Sequence, residues 1–433
     1  MSILIHNALI AEGAGTPYRG WLRTEGALID SMGVGDAPAR VFEGADRVID
    51  AGGAMLMPGA IDCHVHFREP GLTHKATIAS ESRAALAGGV TSYIEMPNTR
   101  PATVTLEAWE EKMDIAARQS AANYAFMLGA TADNLSELQR ADFTRVPAVK
   151  VFMGSSTGNM LLDADDALRA VFADQPGRVV VHAEDQHIIN RLTERYRLAL
   201  DAGDMNWHTR LRPNECCVAA TEHALELAQR YGTRLHVAHV TSREECALFD
   251  PADSPAGLQF TSEVSPHHLT RCSDDYAALG ARIKMNPAVK SAADRDALRQ
   301  ALAAGRLHIV ATDHAPHLLS EKQGDVFTAM SGAPIVQFSL PLMLSLFDPV
   351  TVVRRMCNAP ADLFGIDRRG YLRPGWYADL VLVEELPEAH TISDADVLSP
   401  CGWTAAVGLP VRHRVREAIV NGGTAPCALA FRG

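Results

Sequence analysis

The feature of this sequence that most constrains its fold is a short apolar run that recurs eight times in the middle of the chain. The runs are rich in Val and Ile and end in polar residues, as in MLMPGAIDCHVHF, GVTSYIEMPN and RVVVHAED. Segments such as ECCVAATEHALELAQRYG, typical of amphipathic helices, separate the runs. Alternating β and α units with strands apolar on both faces predict an α/β fold, a (β/α)8 TIM barrel over residues 54–368.

The two ends of the chain have a different pattern. Residues 1–53 and 369–433 contain stretches of alternating apolar and polar residues broken by Gly, such as SILIHNALI and GWYADLVLVEEL. This alternation favours antiparallel strands over helices. We therefore expect residues 1–53 and 369–433 to form one small composite β-sandwich domain, into which the barrel of residues 54–368 is inserted.

The charge balance limits the partners of this protein. The chain of 433 residues has 52 Asp and Glu against 40 Lys and Arg, a formal net charge of −12. Nucleic acids and anionic membrane surfaces are not attracted to net negative charge, and no block of basic residues provides a local exception. We expect a small-molecule substrate, with no nucleic acid and no membrane as partner.

The cellular compartment follows from three further features. The N-terminus lacks the pattern of a secretion signal. Apolar runs end well before the roughly 18 to 20 residues that cross a bilayer. The 8 cysteines show no CxxC spacing, which indicates reduced thiols rather than a disulfide framework. Together these features predict a cytoplasmic protein.

Polar residues end several of the predicted strands, and in a TIM barrel this is where the active site is built. They are His64, His66, Asn98, His182, His239 and Asp313, with Lys150 inside the fourth strand. His64 and His66 project from the same strand face because they are two residues apart. An HxH pair arises by chance about 0.7 times in such a chain, so it gains weight only from the ligands that end other strands.

The candidate ligands are too many for one metal ion. Four histidines and one aspartate exceed the four ligands of a tetrahedral zinc, which suggests two ions. Lys150 lies in the apolar run AVKVFMG, where a bare cation is costly. Its neutral amine could react with carbon dioxide to give a carbamate that bridges the ions. The alternative is a strand-end cation that reaches solvent.

Three motifs identify a family. The strings DCHVHFREPG, MPNT and ATDHAPH resemble those of dihydroorotases of the long-chain, class I type, which are cyclic amidohydrolases with a TIM barrel and a composite β-sandwich. The resemblance implies two Zn²⁺ ions per chain, bridged by hydroxide and by a carboxylated lysine. The implied ligands are His64, His66, Lys150, His182, His239 and Asp313.

The same resemblance implies a substrate and a mechanism. The reaction is the reversible cyclisation of N-carbamoyl-L-aspartate to L-dihydroorotate in pyrimidine biosynthesis. By hypothesis the bridging hydroxide attacks the ring amide, and Asp313 acts as the general acid and base that moves the proton to the leaving nitrogen. The residues implied to bind the substrate carboxylate are Arg68, Asn98, Asn286 and His317.

Chemistry independent of the resemblance supports a substrate-binding role for Arg68. It shares a strand face with His64 and His66, and a guanidinium offers the two-pronged fork that a carboxylate fits. The alternative is a salt bridge with Glu69 or with another acidic residue at the rim of the barrel. His317 could instead orient a ligand imidazole. For His267 and His268 in SPHHL we expect capping or packing roles.

Departures from the family pattern leave some contacts open. Ala288, Val289 and Lys290 follow the KMNP motif in place of a Pro-Leu-Arg-like sequence. Ile335 and Gln337 stand where many relatives have Gly and Glu, so backbone contacts to the substrate ring could differ. The loop GSSTGNM after Lys150 could be a mobile lid or a simple strand-to-helix turn.

Two other functions remain open. Hydantoinases, dihydropyrimidinases and allantoinases share the metal ligands, but their substrates lack the ring carboxylate that Arg68 and Asn98 would bind. A non-catalytic dihydroorotase-like subunit that scaffolds aspartate transcarbamoylase would be expected to lack ligands, whereas here all six positions are filled. A homodimer is expected from symmetry alone, and association with aspartate transcarbamoylase stays open.

Overall fold

The computed structural model describes residues 1–154 and 160–432. The strands are β1 Ile3–Ile10, β2 Tyr18–Glu25, β3 Leu28–Val34, β4 Arg47–Asp50, β5 Met55–Pro58, β6 Ala60–Val65, β7 Val90–Glu95, β8 Asn123–Phe126, β9 Leu128–Gly129, β10 Val149–Phe152, β11 Val179–His182, β12 Leu235–Val237, β13 Phe260–Val264, β14 Ile309–Val310, β15 Leu380–Thr391 and β16 Pro410–Ile419.

The α-helices lie mostly between the strands of the middle of the chain. They are α1 Ile78–Ala87, α2 Leu106–Gln119, α3 Leu135–Arg140, α4 Asp165–Asp174, α5 Gln186–Tyr196, α6 Trp207–Leu211, α7 Asn214–Tyr231, α8 Arg243–Cys246, α9 Pro266–Thr270, α10 Tyr276–Leu279, α11 Ala292–Ala303, α12 Ser339–Leu346, α13 Pro349–Val353 and α14 Ala359–Phe364.

The strands from β6 to β14 form the predicted barrel. β6, β7 and β8 pair in parallel, and β9 to β14 pair in parallel in chain order. Only Met127 separates β8 from β9, so the two sheets are continuous along the chain. The ring closes where Val65 bridges His314 in parallel and the His66 amide donates to the His314 carbonyl at 2.8 Å. The TIM barrel is therefore confirmed.

Alternate side chains of the barrel strands pack into two different hydrophobic cores, one inside the barrel and one between the strands and the helices. Val180 packs in the barrel interior with Ile94 and Ile309, while its neighbours Val179 and Val181 pack outward against the helices. Side chains alternate between the two faces of a strand, and both faces are buried here. For this reason the sequences of the strands are largely apolar runs and do not alternate regularly between apolar and polar residues.

Local sequence determines where several helices begin and end. Thr77 caps α1 in a capping box with Ser80, and Ser291 caps α11 in the same way with Asp294. Each cap satisfies backbone N–H groups that have no partner inside the helix. α7 ends at Gly232, whose φ of 71° suits glycine. Residues next to each helix in the sequence therefore set where it begins or ends.

The two ends of the chain meet in one seven-stranded sheet, with the order β16, β15, β5, β1, β2, β3 and with β4 also paired to β1. The alternation in the sequence predicts antiparallel strands, but the sheet is mixed. β4 and β5 return parallel to β1 after the β2–β3 hairpin. Met55–Pro58 belongs to this sheet although it lies beyond residue 53. The domain limits 1–53, 54–368 and 369–433 stay a prediction.

Candidate metal and substrate site

A cavity of about 350 Å³ opens at the C-terminal ends of the barrel strands. Eight of the ten residues proposed from the sequence line it, namely His64, His66, Arg68, Asn98, His182, His239, Asn286 and Asp313. The other two, Lys150 and His317, are fully buried. The sequence therefore brings its candidate ligands to one place, as strand ends in a barrel require.

The first group of ligand atoms belongs to His64, His66 and Asp313. Asp313 Oδ1 lies 3.0 Å from His66 Nε2 and 3.4 Å from His64 Nε2. All three residues present a ligand atom within 4.8 Å of the others. Two imidazoles and one carboxylate at this spacing suit a divalent cation such as zinc.

The second group is formed by His182 and His239. His182 Nδ1 lies 2.9 Å from His239 Nε2, and the two rings are 4.6 Å apart. The ring of His239 is also 5.3 Å from the ring of His64, so the two groups adjoin. Burial and the neighbouring His182 lower the pKa of His239 well below its ordinary value, which leaves a neutral imidazole able to bind metal.

Lys150 is a buried amine without a partner. Its side chain is 0% exposed, and its Nζ has no hydrogen-bond partner among the described residues. Burial lowers the pKa of Lys150 to about 8, against the opposing charges of Glu263 and Asp313. The alternative of a strand-end cation that reaches solvent is therefore wrong. A buried amine that gives up its proton this readily fits the formation of a carbamate.

Hydrogen bonds hold the ligand imidazoles in position. His64 Nδ1 donates to Glu263 Oε1 at 2.5 Å, and His66 Nδ1 donates to Asn98 Oδ1 at 2.7 Å. Each bond fixes one ring nitrogen as a donor, so Nε2 of each ring faces the proposed metal position. Asn98 thus contacts a ligand in addition to lining the cavity.

His182 is oriented by a buried ion pair. Its Nε2 donates to Glu184 Oε2 at 2.9 Å, and Arg212 Nη1 donates to the same oxygen at 2.5 Å. Burial alone would raise the pKa of Glu184, but Arg212 and His182 hold it far below its ordinary value. The ionised carboxylate keeps the proton of His182 on Nε2 and leaves Nδ1 free to bind a cation.

Arg68 forms a cationic wall of the cavity. Its side chain is 3% exposed, and its Nε donates to the Pro316 carbonyl at 3.0 Å. Among the described residues Arg68 forms no ion pair, and Glu69 accepts the backbone N–H of Ile78 at 2.9 Å instead. Burial lowers the pKa of Arg68 to about 10, so it still carries its charge at neutral pH. A buried guanidinium that forms no direct ion pair with the described acidic residues is suited to an anionic ligand.

His317 lies behind Arg68 rather than on the cavity surface. Its Nε2 is 3.0 Å from Arg68 Nη2, and its Nδ1 is 3.1 Å from Lys75 Nζ. Burial and these two cations lower its pKa far below the ordinary value, so the imidazole is neutral. The geometry favours a role in positioning Arg68, and direct contact with the substrate stays a prediction. Asn286 does line the cavity, and its Oδ1 has no partner among the described residues.

Comparison with known proteins gives the family. The amidohydrolase family matches residues 55–422 of this chain. The chain belongs to the amidohydrolase family. It is 38% identical to a dihydroorotase from Halobacterium salinarum, over 94% of this chain and 92% of that protein. It is 32% identical to an allantoinase from Bacillus velezensis, over 83% and 81% of the two chains.

Solved structures show the same architecture. The structure of an L-hydantoinase from Arthrobacter aurescens superposes with a TM-score of 0.91 and 27% identity, over 99% of each chain. The likeness therefore extends over both the barrel and the sheet formed by the two ends of the chain.

This amidohydrolase has strained backbone at three site residues. Arg68, His239 and Asp313 have φ values of 73°, 34° and 51°, and none of them is a glycine. Such conformations cost free energy and persist only where surrounding contacts enforce them. Here each residue follows a barrel strand, so the sharp turn aims its side chain at the mouth of the barrel.

Sequence reasoning missed Glu184 and Glu263, which orient the candidate ligands His182 and His64. Glu263 also accepts a bond from His236 Nε2 at 3.1 Å, inside the barrel. One indication was available for each, since Glu263 interrupts the β run QFTSEV and Glu184 follows His182 at the i+2 position. A buried acid in such a place needs a buried partner.

The departures from the family motifs lie away from the cavity. The amides of Ile335 and Val336 donate to His314 Nδ1 at 3.0 and 3.1 Å, and Gln337 Nε2 donates to the Asp396 carbonyl at 2.7 Å. Residues 329–332 line the cavity instead. Lys290 donates to the Arg212 carbonyl, which supports the loop that carries Arg212.

Two further expectations concern the short helix α9 and the loop after Lys150. His268 bridges Ser265 Oγ at 2.8 Å and the Pro287 carbonyl at 3.0 Å, the structural role expected of it. His267 is buried without a hydrogen-bond partner among the described residues. The proposed lid GSSTGNM spans residues 154–160, of which 155–159 lie outside the described residues.

Proposed function

We propose that this amidohydrolase is a dihydroorotase, which interconverts N-carbamoyl-L-aspartate and L-dihydroorotate in pyrimidine biosynthesis. The observation that carries the proposal is Arg68, a buried cation that forms no ion pair with the described residues and lines the same cavity as the candidate ligand histidines. L-Dihydroorotate carries a carboxylate beside its cyclic amide, so one molecule satisfies both features. The dihydroorotase among the similar proteins supports the same assignment.

The residues of the cavity fit two divalent cations, with zinc favoured by the histidine-rich ligands. His64, His66 and Asp313 would hold one ion, His182 and His239 the other, and Lys150 as a carbamate would contact both. The unpartnered, readily deprotonated amine of Lys150 supports this. When bound, the two cations would activate a water molecule and polarise the amide carbonyl.

Asp313 moves the proton in this proposal. Burial alone would raise its pKa, but His64 and His66 hold the pKa of Asp313 well below its ordinary value. The carboxylate is therefore ionised and able to take a proton from the attacking water. It then delivers that proton to the ring nitrogen that leaves, and in the cyclisation direction the transfer runs backwards.

Arg68 and two asparagines hold the substrate. Arg68 pairs with the carboxylate, and its bond to the Pro316 carbonyl fixes the direction of the guanidinium. Asn286, with its unpartnered Oδ1, accepts a ring N–H. Asn98 contacts the carboxylate from the opposite side while it holds His66. Together they keep the amide carbon near Asp313.

A second candidate is another cyclic-amide hydrolase, because an allantoinase and an L-hydantoinase are also similar to this chain. Their likeness to this chain gives no reason for a buried Arg68 that forms no ion pair with the described residues. A non-catalytic scaffold of aspartate transcarbamoylase is less well supported, because all six ligand positions hold residues able to bind metal.

We propose the cellular location and the assembly of the protein from features of the chain outside the site. No helix in the described part of the chain is long and apolar enough to span a membrane. All eight cysteines are free thiols. We propose that the enzyme is a cytoplasmic homodimer, and co-purification tests its association with aspartate transcarbamoylase.

The experiment that tests the function is a turnover assay on four cyclic amides. Metal-replete protein is given dihydroorotate, dihydrouracil, hydantoin and allantoin at equal concentrations. We expect dihydroorotate to be hydrolysed with the highest kcat/KM, since only it carries a carboxylate for Arg68. Preference for any of the other three would overturn the proposal in favour of the second candidate.

A further inference from the structure

A second, smaller cavity of about 140 Å³ lies at the opposite end of the barrel from the active site. Arg178, Arg234 and Arg432 line it, together with Phe364. Arg178 directly precedes β11, whose last residue is the proposed metal ligand His182. At about 3.3 Å per residue the two Cα atoms are roughly 13 Å apart along the strand. The cavity is therefore separate from the site described above.

The strand register brings the first two arginines together. β11 and β12 pair in parallel with Val179 opposite Leu235, and the Val179 amide donates to the Arg234 carbonyl at 2.9 Å. The backbones of Arg178 and Arg234 are thus neighbours on paired strands, and both side chains line the cavity. The charge of Arg234 lowers the pKa of Arg178, so the two cations repel each other, and an anion bound between them would relieve this repulsion.

Arg178 is buried without a counter-charge. Its side chain is 6% exposed, and its Nη1 has no hydrogen-bond partner among the described residues. No ion pair of Arg178 or Arg234 occurs in the part of the chain that the structure describes. Burial, with a further contribution from Arg234, lowers the pKa of Arg178 to about 10, so it stays charged at neutral pH. A buried, unpaired guanidinium costs free energy that a bound anion would recover.

The rest of the cavity is compatible with an anion. Arg432 at the rim is exposed and adds a third cation, although its Nε also contacts Asp367 at 3.3 Å. The one acid among the lining residues is Asp362, and its Oδ2 already accepts bonds from Ser254 at 2.5 Å and from Tyr371 at 2.8 Å. The local charge is therefore positive in a chain whose net charge is −12.

We propose that Arg178, Arg234 and Arg432 form a binding site for a phosphate group at the N-terminal face of the barrel. A tetrahedral oxyanion fits a cavity of this volume and can accept donors from several guanidinium groups at once. The phosphate group comes from inorganic phosphate or from a nucleotide whose remaining atoms extend out of the cavity. This site is independent of the proposed dihydroorotase activity.

The test is a thermal-unfolding titration of the metal-loaded protein. Inorganic phosphate and a nucleoside monophosphate are added in separate series, with sodium chloride at matched ionic strength as the reference. We expect a saturable rise in Tm of about 3 °C for the wild type. A rise with inorganic phosphate identifies the free ion as the ligand, and a rise with the nucleotide alone identifies a nucleotide phosphate.

Variants separate this site from phosphate bound at the catalytic metals. R178Q and R234Q should lose the response, whereas R83Q, which removes an exposed arginine from α1, should keep it. Arg234 is exposed, so R234Q tests the proposal even if R178Q fails to fold. An equal response in the wild type and R234Q, or no response in the wild type to either compound, would overturn the proposal.

Discussion

Asp313 combines two roles at the scale of a single residue, as a proposed ligand beside His64 and His66 and as the proton carrier. Asp313→Asn keeps the size of the side chain but cannot take up a proton. We expect kcat to fall by roughly 10²- to 10⁴-fold in both reaction directions, the range that general acid and base catalysis contributes.

The measurement is steady-state turnover of the Asp313→Asn variant with dihydroorotate and with N-carbamoyl-L-aspartate. Circular dichroism and bound-metal content serve as controls that the barrel is folded and loaded. Turnover close to that of the wild type would show that Asp313 does not carry the proton.

Glu263 allows a second residue-scale prediction. Its carboxylate accepts from His64 Nδ1 and is 1% exposed. Glu263→Gln should weaken metal retention by about 10- to 100-fold, because the imidazole loses the partner that orients it. Metal content after dialysis against graded chelator measures this. Glu245→Gln, at another buried glutamate that bonds Ser242 rather than a ligand, is the matched control and should retain metal. Equal loss from both variants would contradict the role of Glu263.

The residues proposed to bind metal were predictable from the sequence, and the residues that orient them were not. His64, His182 and Asp313 end apolar runs. A barrel brings the ends of its strands together regardless of the conformation of the loops. Glu184 and Glu263 act through contacts between strands, and their partners are set by register rather than by spacing along the chain. The position of His317 behind Arg68 likewise depends on Lys75, which no local pattern links to it.

At the scale of elements, the short helix α9 gives the chain a pH-dependent stability. His268 on α9 is 2% exposed, and burial lowers its pKa to about 4. The unfolded state therefore binds a proton between pH 6.5 and about 4 that the folded state does not. The resulting stability is fully present above pH 6.5 and is lost as the pH falls towards 4, by about 3 kcal/mol.

Substitution of His268 by Gln tests this dependence. The amide of Gln can still donate to the Pro287 carbonyl but does not titrate in this range. We expect a shallower fall in the free energy of unfolding between pH 6.5 and pH 4, measured by urea denaturation at a series of pH values. His187→Gln, at an exposed position on α5, is the control and should keep the wild-type slope. Identical slopes for all three proteins would contradict the prediction.

The eight-fold alternation predicted the barrel because its strands are apolar on both faces. The terminal sheet was predicted less completely. Alternation in the sequence indicated strands at both ends, but the parallel pairing of β1 with β4 and β5 depends on the path of the chain after the β2–β3 hairpin. Periodicity carries no information on that path, so the mixed character of the sheet was missed.

At the scale of the whole molecule, the net charge of −12 opposes an anionic substrate. Recognition of a carboxylate must then come from local cations that the fold collects at one place. Arg68 is held there by Pro316 and His317, two residues that lie far from it in the sequence. The barrel therefore places a buried cation at the pocket proposed for the substrate, although the chain as a whole is acidic.

The measurement that tests this account most directly is the ratio of kcat/KM for dihydroorotate to kcat/KM for dihydrouracil, in the wild type and in Arg68→Met. The two substrates share the cyclic amide and differ by the carboxylate. We predict a large ratio in the wild type that falls at least 10²-fold in the variant, through loss of dihydroorotate turnover alone, because a charged hydrogen-bonded pair contributes about 3 kcal/mol. An unchanged ratio would contradict the central claim that Arg68 selects the substrate by its carboxylate.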